Sequence, residues 1–138
     1  MAITQAMCTS FKAELMDEQH DLASDTLKIA LFTSSASLDA TTTAYSTSNE
    51  VSGTGYSAGG ETLTSTTVST TGTTAFFDCD DPTWTSASFT ARGALIYNST
   101  NGDKAIAVLN FGGDFTVSSG TFQIVFPAAG ASAIIRID

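Results

Sequence analysis

The chain holds a single histidine, His20, inside the charged run DEQHD at residues 17–21. Any general-base or Ser-His-Asp chemistry would have to pass through that ring, and such work needs a second group to position it. No GxSxG elbow is present. The expectation for His20 is a solvated loop residue rather than a base, and the chain is expected not to be an enzyme. The segment NEVSGTGYSAGG, residues 49–60, raises the other catalytic possibility, a glycine loop around phosphate. A dinucleotide fingerprint needs a strand before it and a helix after it, and threonines of strand character follow here instead. No lysine stands nearby to make a Walker loop. The glycines are therefore read as turn and bulge positions. Tyr56 is expected to pin that loop, with its ring buried and its hydroxyl hydrogen-bonded.

Metal chemistry has one candidate. Asp78, Asp80 and Asp81 in DCDDP (78–82) could offer oxygens to Ca²⁺, but the EF-hand pattern is absent. Like charges at a solvated strand end, closed by Pro82, are the simpler reading. No cofactor is expected. Arg92 sits in the strand-like run WTSASFTARGALIYN (84–98), where it must reach water or a carboxylate. Two readings stand: a structural pair with Glu50 that ties the glycine loop to a sheet, or an exposed position without a fixed partner. Cys8 and Cys79 are 71 positions apart and lack CxxC spacing, so two free buried thiols are expected. Asn98-Ser99-Thr100 matches a glycosylation sequon, which matters only on a secretory route.

These residues must be held by a scaffold, and composition points to strands. Of 138 residues, 40 are Ser or Thr, and only 14% are charged. Threonine suits a pleated, half-exposed surface. One domain over 1–138 is expected, mainly β, an antiparallel β-sandwich that could be jelly-roll-like, with one N-terminal amphipathic α-helix at about 3–16. Ile3, Met7, Phe11 and Leu15 recur every fourth residue and make that helix's stripe. Strand signals follow at 26–33, 61–70, 72–80, 86–91, 93–98, 104–111 and 133–138. GGD at 112–114 is expected to turn the chain, with a further pair of short strands around Ser118-Ser119-Gly120. Asn-Gly in NSTNGD (98–103) marks a hairpin, and Gly93 could bend one long strand or separate two. The stripe has two readings, an assembly surface or a cover for the chain's own sheet.

Net charge is −9 and the five basic residues are scattered, which argues against nucleic acid and against an anionic membrane. No stretch approaches the ~20 apolar residues of a membrane span. The start of the chain lacks the basic residues and apolar run of a secretory signal, so folding in a reducing cytosol is expected.

The segments MAITQAMCTSFKAEL, DTLKIALFTSSASLDATTTAYSTSNEVSGTGYSAGG and WTSASFTARGALIYNST together resemble a group of small virion structural proteins of tailed bacteriophages. The similarity runs along nearly the whole chain to its AIIRID terminus, without a motif that signals a mechanism. The resemblance implies a virion component present in many copies, synthesised and assembled in the host cytoplasm. Its implied partners are itself, as a homo-oligomer, and other phage structural proteins such as the major capsid protein. A capsid decoration or cement protein is the first expectation. The alternatives are a tail, neck or baseplate component, or a host-surface module that binds glycans. Sugar binding would need exposed aromatics, and Trp84, Tyr45, Tyr56 and Tyr97 are the candidates, though dispersed ones.

Overall fold

A computed structural model describes residues 2–128, 130 and 133–137. The fold is mainly β, with antiparallel strands in two sheets and one short helix. Its centre is β2 (Leu27–Phe32), which is apolar on both faces. Leu27, Ile29 and Leu31 are buried on one side, Ala30 and Phe32 on the other, and only Lys28 reaches solvent. A strand of that kind has to lie between layers.

Next to it runs the longest feature, the hairpin of β6 (Thr83–Asn98) and β7 (Lys104–Gln123). NSTNGD closes it as the sequence indicates, with Gly102 and Asp103 at positive φ. Gly93 does not divide β6, so the two segments 86–91 and 93–98 are one strand. The glycines of GGD do not turn the chain either. Between the pairs Ala91↔Phe115 and Gly93↔Asn110, β7 carries extra residues, which the ladder sheds as a bulge. Gly112, at φ +82, supplies the left-handed backbone that lets the strand shed them and continue. Ser119 at φ +48 plays the same part beside Ser88, so no turn forms at 118–120.

The larger sheet is completed by β1 (Ala6–Met7) and β3 (Glu61–Thr62), in the order β1-β7-β6-β2-β3. The smaller sheet holds β4 (Thr67–Thr71), β5 (Thr74–Asp78) and β8 (Ile135–Ile137), in the order β4-β5-β8. The expected strand at 61–70 is thus two. Its start pairs with β2, the chain crosses over at Leu63–Thr66, and its end pairs with β5. Phe77 and Ile135 point from the small sheet into the core, whereas β4 is exposed along its length.

The N-terminal helix is shorter than its periodicity suggests. Only α1 (Thr9–Met16) is helical. Ile3 forms a parallel bridge with Leu38, and Ala6 and Met7 pair with β7. A spacing of four is shared by a helix face and by an extended segment that dips repeatedly towards a core. Ile3 (7% exposed) lies on Gly93, where a Cβ would come within 2.9 Å of its methyls. Phe11 is fully buried, and Met7 and Leu15 pack on the core from its margin. The stripe Ile3, Met7, Phe11, Leu15 therefore covers its own protomer. Ile3 and Phe11 are buried there, while Met7 and Leu15 remain partly exposed.

Candidate functional site: locked polar residues and two open apolar surfaces

His20 is buried, not solvated. The chain folds back after α1, with Gln19 N–H donating to Glu14 C=O, and lays the His20 ring edge-on against Phe11 at 5.0 Å. Nε2 is 3.1 Å from Glu14 Oε1, and Nδ1 is 3.0 Å from the side-chain nitrogen of Asn98. The Asn98 amide also donates to Asp25 Oδ2 at 2.8 Å, and its oxygen accepts from the backbone N–H groups of Thr100 and Asn101. Those two acceptor contacts fix the amide's orientation. An N–H aimed at Nδ1 leaves the ring proton on Nε2, facing Glu14. Both nitrogens are thereby engaged, and the ring ties α1 and its loop to the end of β6. Asn101 Nδ2 donates to Gln19 C=O across the same junction. The Asp25 carboxyl is held below its ordinary range, chiefly by the Asp21 backbone N–H and then by Asn98, against an opposing effect of burial.

Glu50 has partners other than Arg92. Its carboxylate accepts from Tyr45 Oη at 2.7 Å, Tyr56 Oη at 2.5 Å and the Gly59 backbone N–H at 2.8 Å. Tyr56 Oη also accepts from the Leu31 N–H at 2.9 Å, and its ring packs against Trp84 and Phe89. The expected pin is therefore present, with Glu50 as its anchor. Gly60 shows why the loop is glycine-rich: at φ +79 it lies so close to β2 that a Cβ would be 1.8 Å from the Ile29 carbonyl oxygen. Arg92 instead meets Asp114 at 3.3 Å, with both side chains substantially exposed. The bulge at 111–114 brings Asp114 there, and sequence distance gave no hint of it.

The aromatics considered for sugar binding build the interior. Trp84 and Tyr97 are buried. Tyr45 stacks on Tyr97 at 4.5 Å, and Tyr97 Oη donates to Gly59 C=O at 2.7 Å. Burial, followed by the Asp103 and Glu50 charges, pushes the Tyr97 phenol up to about 12. Burial and then the hydrogen bond to Glu50 raise Tyr45 and Tyr56 as well.

The acidic cluster does not converge. Asp80 accepts from the hydroxyls of Thr64 and Ser65, and Asp81 Oδ1 accepts from the Phe126 N–H, so these carboxylates serve different loops. Among the described residues no group of three or more His, Cys, Asp or Glu could hold a metal ion. Both cysteines are free and buried, as expected. Burial and the neighbouring carboxylates push Cys8 up to about 11 and Cys79 up to about 12.

Two open clefts carry exposed apolar side chains. A cleft of about 630 Å³ lies between the small sheet and the loop after α1. Leu15, Leu22, Val68, Phe77, Ile135 and Ile137 are among its walls, with Val68 and Ile137 about half exposed. The second is a groove of about 270 Å³ at the far end of β7, lined by Phe111, Phe115, Phe122, Gln123, Ile124 and Val125. Phe115 is 53% and Val125 71% exposed. Sequence reasoning missed both surfaces, since each depends on which edge and which sheet a strand occupies. Comparison with protein-family models, with curated proteins and with solved structures returns no match for this chain.

Proposed function

We propose that this chain is a structural protein of a tailed-bacteriophage particle, acting through protein–protein contacts as a capsid decoration protein. The observation that carries the reading is the exposure of Val68, Phe115, Val125 and Ile137, apolar side chains that line open clefts, unlike the exposed Met16 at the end of α1. Apolar groups exposed on or beside sheets suit a protein neighbour, because burying each one stabilises contact by roughly 1.5–3 kcal/mol before association costs. The polar residues with chemical potential, His20 and Glu50, are spent on internal ties. The likeness of the segments quoted above to small virion proteins supplies the setting, with the major capsid protein as the main partner. An acidic, hydroxyl-rich exterior keeps many free copies soluble before assembly.

Purified protein added to shells that lack it tests this reading. Saturable binding in near-stoichiometric amounts, with added resistance of the shell to heat, is the expected result. Localisation by electron microscopy to the tail or neck would replace the capsid assignment. Failure to bind any part of the particle would overturn the reading as a whole.

A further inference from the structure

The long hairpin is sealed on one flank and open on the other. On the β6 flank, β2 pairs as far as Gly93. Beyond the end of β2 the glycine loop, itself bridged to β2 at Phe32↔Glu50, meets β6 at Thr54↔Ser88. On the β7 flank, β1 covers only Ala107 and Val108. Beyond them Gln5 Oε1 occupies the Asn110 N–H, and from there to Gln123 no described strand pairs with the outer edge of β7. Of the usual guards of an exposed edge, which are lysines, prolines, bulges and shortness, this one carries only the bulges. Residues 110–123 contain neither Lys nor Pro, and their one charge is Asp114, matched by Arg92.

We propose that this edge is where two copies of the chain join, β7 against β7, antiparallel about a twofold axis. An antiparallel edge is complementary to itself, so one surface serves both partners. Charge permits contact here: two copies at −9 each repel over much of their surface, whereas the one charge on this strip, Asp114, is balanced by Arg92. Phe115 and Val125 stand beside the groove that Phe111 and Phe122 line, so each copy offers an apolar projection and a place to receive one. The bulges at 111–114 and at Ser119 bound the straight run of edge and thereby fix its register.

Magnitude sets the strength of the joint. At about 3.3 Å per residue and a sheet roughly 10 Å thick, residues 110–123 offer at most on the order of 400 Å² per copy, because the bulges hold part of that length out of the ladder. The total falls below the roughly 1,200 Å² of stable complexes, so the pairing is reversible and concentration-dependent.

The inference shares Phe115 and Val125 with the virion reading, but it is measured without particles, so the two can fail separately. A chain that dimerises yet ignores every shell would keep this inference and remove the other. Sedimentation equilibrium of the full chain, from micromolar to near-millimolar, should show a reversible dimer. Phe115→Lys with Val125→Lys should raise its dissociation constant at least about tenfold. Met16→Lys, at the exposed end of α1, should leave it unchanged. Unaltered circular dichroism and thermal unfolding would show that the variants fold. In the unmodified protein, concentrating the sample should slow amide exchange across 112–121 and not in β4. A monomer throughout the range, equal weakening by Met16→Lys, or protection confined to another edge would overturn the proposal.

Discussion

Glu50 is the clearest case of one residue holding several elements. It receives two phenols and a backbone N–H, and through Tyr56 it reaches the Leu31 amide of β2. Glu50→Ala would leave three donors without their acceptor in a partly buried site. A loss of about 2–4 kcal/mol is expected from chemical denaturation, because each stranded buried donor costs about 1–3 kcal/mol and water recovers part of it. The same cluster predicts alkaline behaviour. All three tyrosines of the chain have phenols raised above their ordinary value of about 10. A group raised in the folded state contributes stability that is complete below its unfolded value and is lost as pH rises through the folded one. Ultraviolet titration should therefore show no tyrosinate near pH 10. The signals should emerge together with unfolding at higher pH; early ionisation of one ring would contradict the network. The Tyr56 pin was legible in the sequence, since a lone aromatic among glycines has little else to do. The partners of Glu50 and Arg92 were not, because the folding of the glycine loop sets the first and a bulge in β7 sets the second. His20 was misplaced for a related reason: its charged neighbours suggested solvent, and nothing local showed that the loop would fold back under Phe11.

Elements were easiest to recognise where pattern and length agreed. β2 alternates, NSTNGD makes a turn, and both form where expected. Periodicity misled at the N-terminus, where Ile3 and Met7 keep a helical spacing but reach the core from extended backbone. Glycine punctuation misled in β7, where Gly112 serves a bulge and the strand runs on to Gln123. The observed burial makes the N-terminal segment part of the fold's own stability. Ile3→Ala should cost about 2–4 kcal/mol, since it opens a cavity over Gly93 and the large sheet. Met16→Ala, at a position 85% exposed, should change stability by less than about 0.5 kcal/mol. Thermal melts of the two variants compare these outcomes directly, and equal shifts would show that the segment is detached in solution.

At the scale of the molecule, the sandwich class followed from composition, while the division into larger and smaller sheets did not. That division depends on the crossover at Leu63–Thr66, and hydroxyl-rich sequence reads the same on either side of it. One consequence of closed packing concerns both thiols together. Cys8 and Cys79 lie inside the described fold, and their raised pKa values keep them protonated at neutral pH. A maleimide probe should label neither in the native protein and both in denaturant, at rates that track unfolding; rapid native labelling would mean that the core opens locally. The β4–β5 hairpin presents the opposite situation. Its two-residue tip at Gly72-Thr73 is exposed, no neighbouring atom lies within 4 Å of where a Gly72 side chain would begin, and β4 is exposed throughout. Foreign peptide spliced in at that tip would disturb no packing and no sheet edge used elsewhere. Where copies of the chain assemble, each would carry the inserted epitope, which makes this hairpin tip a natural handle for multivalent display.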